Sequence, residues 1–357
     1  AAATPRLRLM RAAHPTPDAS SLAAARAVLD LAWRAAPDDL FILALSGGAS
    51  AMLAAPAAPI TLEDKILITS ALLKSGASIR DLNVVRRHLS TIKGGGLLRA
   101  IGAARTLALI LSDVPGNDLA AIGSGPTAAD PATFSDAIGV LKRRGLWGRA
   151  PESIRGHLER GVSGDAPETL KRGDPILDRI TNVIIGDNET AVAAAAEAAI
   201  ASGYEVERAG ELRGEADDVG AALAARLASI DRPRVCVIAG GEPVVSVRGP
   251  GRGGRAQQAA LAMALELDRL ASDRDIMALF AGTDGVDGPT DAAGAFASPK
   301  TVARAREARL DPALALRRND SNALFAGLGD LLATGPTGTN VADLFIGLVN
   351  YSKRAPA

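Results

Sequence analysis

Residues 240–255 read Gly-Gly-Glu-Pro-Val-Val-Ser-Val-Arg-Gly-Pro-Gly-Arg-Gly-Gly-Arg. An apolar run at 235–239 precedes this stretch and an amphipathic run at 256–270 follows it, which predicts a strand, a glycine-rich loop and a helix. Glycines let backbone N–H groups approach an anion closely, and a helix start adds unpaired donors. Three arginines contribute fixed positive charge beside those donors: Arg248, Arg252 and Arg255. The stretch therefore predicts an anion site.

Strand-like apolar runs alternate with helix-like runs along the rest of the chain, and this order predicts an α/β fold with mainly parallel or mixed sheets and flanking helices. At 357 residues the chain exceeds one hydrophobic core, so we expect two Rossmann-like α/β domains. The polar stretch 161–175 sets their boundary, giving domains 1–172 and 173–357. The run 244–247 follows strand 235–239 too closely for an intervening helix, which predicts a hairpin.

Composition excludes several classes of protein. Forty basic and forty acidic residues balance, which argues against nucleic-acid or membrane-surface partners. Cys236 is the single cysteine and lies in an apolar strand, so we expect it to be buried and inert. No apolar run reaches the roughly 18 residues that span a bilayer, and no signal peptide is visible, although residue 1 is alanine. We expect a cytoplasmic protein; its oligomeric state stays open, with a homodimer as one alternative.

A second polar cluster, at residues 282–291, follows the apolar run 276–281. It contains Asp284, Asp287 and Asp291 among glycines. Aspartates of this kind form turns, but three in eight residues after a strand also suit a Mg²⁺ site or a base for a hydroxyl group. Near the C-terminus, residues 334–340 offer small donors for phosphate or carboxylate contacts, or form only a turn.

The first half of the chain has its own candidates. Residues 46–50, Ser-Gly-Gly-Ala-Ser, follow a strand-like run and predict a second anion site. Lys93 precedes three glycines, which indicates either a flexible joint or a phosphate contact. Polar residues also follow the apolar run 106–111, at the end of the strand where open α/β sheets bind ligands.

Other chemistries fit less well. The spacing Gly249-x-Gly251-x-x-Gly254 matches the dinucleotide fingerprint, but no acidic residue ends the next strand. The turn at 46–50 is not the Gly-x-Ser-x-Gly elbow of hydrolases, and the three histidines offer no good triad base. A Walker-type phosphate loop is absent from the sequence.

Taken in order, these motifs resemble the class II glycerate kinases, the ATP-dependent glycerate 2-kinases that are often called hydroxypyruvate reductases in bacteria. The match runs from His14 to near Val349. It includes Ser112-Asp113-Val114-Pro115-Gly116, Ser124-Gly125-Pro126-Thr127, Thr283-Asp284-Gly285-x-Asp287-Gly288-Pro289-Thr290-Asp291 and Thr334-Gly335-Pro336-Thr337-Gly338-Thr339-Asn340. The resemblance implies two α/β domains with the active site in a cleft between them. It also implies transfer of the ATP γ-phosphoryl group to the 2-hydroxyl of D-glycerate, or of a related hydroxy acid, with Mg²⁺.

The resemblance implies four catalytic residues: Arg255 and Lys93 as cations, and Asp284 or Asp287 as the Mg²⁺ ligand or the acceptor of the hydroxyl proton. The implied substrate and nucleotide contacts are Ser46, Gly47, Gly48, Ser50, Arg86, Asp113, Ser124, Thr127, Glu242, Thr290, Asp291, Thr337, Thr339 and Asn340.

The sequence departs from the family pattern at Ala49, Asn117, Ala256 and Gln258, where the family usually has Gly, Asp, Asn and Glu. The family also has an earlier segment with a Gly-Lys-Ala motif whose lysine belongs to the active site, and this chain starts after it. These departures leave open a ligand-binding relative that has lost catalysis. A second alternative is an NAD(P)H-dependent hydroxypyruvate reductase, which the common bacterial name and the glycine spacing at 249–254 suggest.

Overall fold

The structure, a computed structural model, describes residues 8–350. The chain divides into two compact units, Ala1–Ile185 and Gly186–Ala357. The division lies beyond the predicted boundary after residue 172, because strand Ile180–Gly186 joins the sheet of the first unit.

The first unit has a three-stranded sheet in the order β1 (Leu40–Leu45), β2 (Arg105–Leu111) and β3 (Ile180–Gly186), with β1 and β2 parallel. Side-chain caps fix where several of its helices begin; Thr61 and Asp64, for example, form a capping box. The helices are α1 (Ala19–Ala32), α2 (Ala49–Met52), α3 (Leu62–Lys74), α4 (Ile79–His88), α5 (Gly96–Ile101), α6 (Phe134–Arg143) and α7 (Glu152–Ser163).

The second unit has a six-stranded sheet in the order β4-β5-β9-β6-β7-β8. Its strands are β4 (Glu205–Leu212), β5 (Val235–Gly241), β6 (Asp275–Gly282), β7 (Gly294–Ala297), β8 (Leu331–Leu332) and β9 (Asp343–Asn350). Its helices are α8 (Asn188–Ala201), α9 (Ala216–Ser229), α10 (Arg255–Arg269), α11 (Thr301–Glu307), α12 (Pro312–Arg317) and α13 (Ser321–Leu328). The core lies around β5, whose residues are all buried, and around α10, which is buried over most of its length.

The predicted α/β class is confirmed, and in the second unit the sheet is mixed. Strands β4 and β5 are parallel, whereas β9 lies antiparallel between β5 and β6. The predicted hairpin at 244–247 is wrong, because β4 and β9 already occupy both edges of β5. Val244 instead accepts a hydrogen bond from the amide of Ala216 at 2.7 Å and donates to the carbonyl of Gly214 at 2.8 Å. Within residues 8–350, no helix combines the length and apolarity that crossing a membrane requires.

Candidate functional site

Arg255, the first residue of α10, holds two carboxylates in the second unit. Its Nε and Nη2 donate to Asp343 Oδ2 and Oδ1 at 2.6 and 3.0 Å, and its Nη1 donates to Glu242 Oε1 at 2.6 Å. The paired contact to Asp343 is the two-point geometry in which a guanidinium binds a carboxylate most specifically. The Asp343 side chain is buried, whereas those of Arg255 and Glu242 are partly exposed.

Sheet register explains why Asp343 lies at this point. As the first residue of the antiparallel strand β9, it pairs with Gly241, the last residue of β5, and with Gly282, the last residue of β6. Its backbone is fixed further by Asn188, whose Nδ2 donates to the carbonyls of Val341 and Asp343 at 2.8 and 3.0 Å. The start of β9 therefore contributes a carboxylate to the edge where its two neighbours end.

Burial and the ion pair itself act in opposite directions on the pKa values of Asp343 and Arg255. Burial raises the pKa of Asp343 to about 6, although the hydrogen bonds and positive charge of Arg255 work in the opposite direction. For Arg255, burial works to lower the pKa, but the bonds and charge of Asp343 outweigh it and the pKa is raised. Arg255 therefore stays charged, while Asp343 gains a proton near pH 6.

The start of α10 is occupied by Asp287 rather than open to an anion. Asp287 accepts from the amides of Ala256 and Gln257 at 3.0 and 2.8 Å, and from Gln257 Nε2 at 3.0 Å. Burial raises the pKa of this carboxyl. The prediction of an open anion site at this helix start is therefore wrong, because a carboxylate of the protein takes the donors that a phosphate would use.

The glycines before α10 serve close packing. A Cβ on Gly249 would lie 2.6 Å from Cα of Arg318, and one on Gly251 would lie 2.5 Å from Cβ of Asp320. A Cβ on Gly254 would lie 2.1 Å from Asp287 Oδ1. These residues are glycine because the loop lies directly against the segment before α13 and against Asp287, and neither contact leaves space for a side chain.

Asp284 is the more available carboxylate of the Thr283–Asp291 loop. It is half-buried, accepts from the amide of Val286 at 3.0 Å and has no basic partner among residues 8–350. Gly282 brings it near the ion pair, because a Cβ on this glycine would lie 2.9 Å from Asp284 Oδ1 and 3.5 Å from Asp343 Oδ1. No group of three or more histidine, cysteine or acidic side chains suited to a metal occurs in the part of the chain that the structure describes.

The loop 334–340 packs against the start of the Thr283–Asp291 loop. Thr337 donates its hydroxyl proton to the carbonyl of Thr283 at 2.6 Å, and its amide donates to the carbonyl of Asp284 at 3.1 Å. Asn340 Oδ1 accepts from the amide of Ala342 at 3.0 Å. The sequence-predicted residues 337 and 340 therefore shape the backbone around Asp284.

In the first unit, a cavity of about 340 Å³ is lined by three cationic side chains. Lys65 and Lys93 are 5% and 2% exposed, and Arg86 is half-buried. No aspartate or glutamate is among the described residues that line this cavity. Gly48 and Ser50 of the predicted 46–50 loop also contribute to its wall. We call this space the lysine cavity.

Lys93 begins a chain of hydrogen bonds that joins three of the predicted site residues. Its Nζ donates to the carbonyl and Oγ of Ser50 at 2.8 and 3.0 Å, and the Oγ atoms of Ser50 and Ser124 are 2.9 Å apart. Ser124 donates to Asn83 Oδ1 at 3.1 Å, so the proton between the two serines comes from Ser50. The glycines after Lys93 are not a flexible joint, because Gly94 and Gly95 donate to the carbonyls of residues 124 and 125.

Both lysines of the cavity have depressed pKa values. Burial lowers the pKa of Lys65 to about 8, and the nearby Arg86 charge adds to this effect. Burial, together with the charges of Lys65 and Arg86, holds the pKa of Lys93 well below its usual value. The amine of Lys65 has no hydrogen-bond partner among the described residues.

The remaining predicted residues lie at the edges of these clusters or inside the fold. Thr127 is buried and donates to Asn182 Oδ1 at 2.8 Å, and Asp113 is half-buried after the end of β2. Thr290 is buried and donates to the carbonyl of Asp287 at 2.8 Å. The others are half-buried or exposed loop residues: Ser46, Gly47, Asp291 and Thr339.

Sequence reasoning missed Asp343, Lys65 and Asn83 as candidate site residues. Asp343 immediately precedes the apolar run of β9, at the amino end of that strand, and the sequence gives no signal there because ligand sites are expected at carboxyl ends of strands. Lys65 lies inside an amphipathic helix, where a lysine ordinarily faces solvent, so the sequence carries no signal of its burial.

Two departures from the family pattern are accommodated by the fold. Ala256, in the first turn of α10, is buried in the core. Gln258 is also buried, and its Nε2 donates to Asp217 Oδ1 at 2.8 Å and to the carbonyl of Leu316 at 3.1 Å. The side-chain amide of Gln258 donates to two acceptors, whereas an ionised glutamate has no donor to offer them.

Known proteins match nearly the whole chain. Residues 1–159 match a domain of unknown function, DUF4147, and residues 235–343 match the MOFRL family. The chain is 39% identical over 357 residues to glycerate 2-kinase of Pyrococcus horikoshii. This match covers 98% of this chain and 79% of that protein. It is 40% identical over 349 residues to a putative hydroxypyruvate reductase of Agrobacterium vitis, covering 95% of this chain and 76% of that protein.

The crystal structure of glycerate kinase from Thermotoga maritima is similar over 95% of this chain and 80% of its own, with a TM-score of 0.84 and 37% identity. The resemblance inferred from the motifs is thus confirmed at the level of both sequence and fold. The chain belongs to the glycerate kinase family.

Proposed function

We propose that this protein phosphorylates D-glycerate at its 2-hydroxyl with ATP and Mg²⁺, giving 2-phosphoglycerate and ADP. The observation that carries the proposal is the lysine cavity of a chain in the glycerate kinase family. Within the described part of the chain, this concave site is lined by three cations and by no carboxylate. Phosphoryl transfer depends mainly on positioning and on neutralising negative charge, and such a site supplies both.

The reaction forms a bond between the 2-oxygen of glycerate and the γ-phosphorus while the bond from that phosphorus to the β,γ-bridging oxygen breaks. The hydroxyl proton passes from glycerate to a solvent water, and ADP takes the electron pair of the broken bond. In our proposal Arg255 contacts an anionic group of a substrate, because two of its five N–H donors remain after the three bonds to Asp343 and Glu242. Asp343 and Glu242 hold the guanidinium in position.

Asp284 fits a magnesium ion better than Asp287 does. Mg²⁺ is commonly held by one or two carboxylates together with waters and substrate phosphates, so a large acidic cluster is not required. Asp284 has one backbone hydrogen bond and no cationic partner within residues 8–350, whereas Asp287 already accepts three hydrogen bonds at α10. When bound, Mg²⁺ would neutralise charge on the phosphates; Asp287 would act as a positioning residue.

The reductase alternative receives less support from the geometry. A dinucleotide fingerprint needs open backbone amides at the helix start for the pyrophosphate. Here those amides donate to Asp287. Of the fingerprint glycines, Gly249 and Gly251 pack against residues 318–320 and Gly254 packs against Asp287. The negative charge of Asp287 would repel a pyrophosphate at that place.

The test is ADP release from purified protein with D-glycerate, ATP and Mg²⁺. Adding enolase distinguishes the products, because this enzyme acts on 2-phosphoglycerate directly, whereas 3-phosphoglycerate first needs a mutase. We expect glycerate-dependent ADP release, an immediate enolase signal and loss of both in Arg255→Ala. NADH oxidation with hydroxypyruvate in the absence of ADP release would overturn the proposal in favour of the reductase.

A further inference from the structure

We infer that the lysine cavity binds the phosphate chain of the nucleotide and that Lys65 is a direct phosphate ligand. The assignment to the nucleotide rests on the proposed function, whereas the phosphate chemistry of the cavity rests on its own residues. Lys65 lies outside the motifs quoted above, and its role follows from its burial.

The first argument is the unpaired amine of Lys65. A lysine that is 95% buried is ordinarily paired, because burying an ammonium without a partner is costly. Lys65 Nζ has no hydrogen-bond partner among residues 8–350. Lys65 is not enclosed by apolar side chains alone, because it lines the cavity. A ligand oxygen in the cavity would supply the missing acceptor.

The second argument is the charge balance of the cavity wall. Lys65, Arg86 and Lys93 line it together, and its other titratable lining residue is His14. Thr69 and Ser70, one turn along α3 from Lys65, add hydroxyl groups. Since no acidic side chain of residues 8–350 lines this wall, an incoming anion has no competitor among them, and several cations suit a group with several negative charges.

The size of the lysine cavity and the loop 46–50 beside it also favour a phosphate chain. A volume of about 340 Å³ is larger than a single carboxylate needs and accommodates linked phosphates. Gly48, with φ of 80°, keeps the wall open at the 46–50 loop; a Cβ there would lie 2.8 Å from Met52 Cε and 3.4 Å from His14 Cδ2. Lys93 is held toward Ser50 of the same loop. These features favour a polyphosphate over the glycerate carboxylate.

Proton uptake provides a second readout. The pKa of Lys65 is depressed to about 8 and that of Lys93 lies well below its usual value, because each is buried near other cations. A bound phosphate chain would stabilise the charged amines and draw protons from solvent. His14 and Arg86 also face the cavity, so a variant at Lys65 is needed to separate its share of the uptake.

The experiment is titration calorimetry on the full chain with tripolyphosphate, ATP, adenosine, 2-phosphoglycerate and D-glycerate as separate probes. Lys65→Met keeps the length of the side chain and removes the charge; Lys74→Met, on the exposed end of the same helix, is the matched control. We expect Lys65→Met to lower the affinity for tripolyphosphate and for ATP at least tenfold, and to leave the affinity for D-glycerate unchanged within a factor of about two. Lys74→Met should change neither affinity.

Repeating the ATP titration near pH 8.5 in two buffers of different ionisation enthalpy measures the protons taken up. We expect uptake by the wild type and a smaller uptake by Lys65→Met. Weakened binding of D-glycerate with unchanged tripolyphosphate binding would overturn the proposal and assign the cavity to the carboxylate. A loss of affinity confined to 2-phosphoglycerate would assign the lysine cavity to the product instead of the nucleotide.

The outcomes separate the cavity from the reaction. Lys65-dependent binding of tripolyphosphate without glycerate-dependent ADP release would retain a phosphate site and overturn the proposed function. Glycerate-dependent ADP release that is unchanged in Lys65→Met, with unchanged ATP affinity, would retain the function and overturn the role of Lys65. A circular dichroism spectrum of each variant identifies any that fails to fold; for that case Lys65→Gln, which keeps a polar side chain, provides the second test.

Discussion

Asp343 and Arg255 form a two-point ion pair, with Nε to Oδ2 at 2.6 Å and Nη2 to Oδ1 at 3.0 Å, although 88 residues separate them in sequence. Replacing Asp343 with Asn removes the charge that fixes the guanidinium. We expect Asp343→Asn to lower kcat/KM for ADP release by about 100-fold, because Arg255 loses its two-point partner and keeps only the contact to Glu242. Steady-state kinetics with D-glycerate measures this effect.

The pH profile separates this role from a general structural one. The pKa of Asp343 is raised to about 6 by burial, so protonation below that pH breaks the ion pair and wild-type activity should fall. The Asn variant should lack this acidic limb. Asp330→Asn is the matched control, since it breaks the ion pair that Arg304 makes with Asp330 in the same unit. An equal loss in both variants would contradict the assignment.

The glycine before α10 provides a test of packing. A Cβ on Gly254 would lie 2.1 Å from Asp287 Oδ1, so Gly254→Ala should lower the free energy of unfolding by about 1–3 kcal/mol. Gly156→Ala is the control, because Gly156 lies inside α7 and a Cβ there has nothing within 4 Å. That substitution should stabilise the protein by about 0.5–1 kcal/mol. Urea unfolding measures both; a neutral Gly254→Ala would mean that Asp287 moves aside freely.

The strand and helix types of this fold were predictable from the sequence, but the direction of β9 was not. Apolar runs identify strands such as 235–239 and 344–349, yet they say nothing about whether a strand runs parallel or antiparallel to its neighbours. Because β9 lies antiparallel between β5 and β6, its first residue meets their last residues. The contact between Asp343 and Arg255 therefore depends on the sheet topology, which a local sequence pattern does not predict.

The glycine-rich stretch shows a second limit of local pattern. Glycines before a helix indicate close backbone approach, and the structure has such an approach, but the approaching group is Asp287 and the segment 318–320 of the same chain. Lys93 and Ser50 were recognisable from the sequence as candidate site residues, because glycine motifs flank them. Lys65 was not, since its burial depends on how α3 packs.

Gln258 offers a test of the departure from the family pattern. Its Nε2 donates to Asp217 Oδ1 and to the carbonyl of Leu316, so Gln258→Glu would place a carboxylate against two acceptors. We expect the free energy of unfolding at pH 8 to fall by about 1–3 kcal/mol, with partial recovery at acidic pH as the new carboxyl gains a proton. Gln258→Met, which removes the donors without adding charge, should lie between. Wild-type stability in the Glu variant would contradict this account.

Cys236 should be inert in the folded protein. It is fully buried in β5, and burial raises the pKa of its thiol to about 11, so the reactive thiolate is scarce at pH 8. We expect no reaction of the native protein with a thiol-specific disulfide reagent at that pH. In guanidinium chloride, one thiol per chain should react, since Cys236 is the single cysteine. Rapid labelling of the native protein would mean that β5 opens to solvent.

The buried amine of Lys65 should leave a signature in stability at alkaline pH. Its folded-state pKa of about 8 lies below the ordinary value of 10.5, so the unfolded chain binds this proton more tightly. Between about pH 8 and 10.5 the unfolded state carries the extra proton, and stability should rise with pH by up to about 1.4 kcal/mol per pH unit from this group. Urea unfolding at pH 8, 9 and 10 should give a shallower slope for Lys65→Met than for the wild type or Lys74→Met. Parallel slopes in all three proteins would show that Lys65 is charged in the folded state, which would contradict a buried amine without a partner.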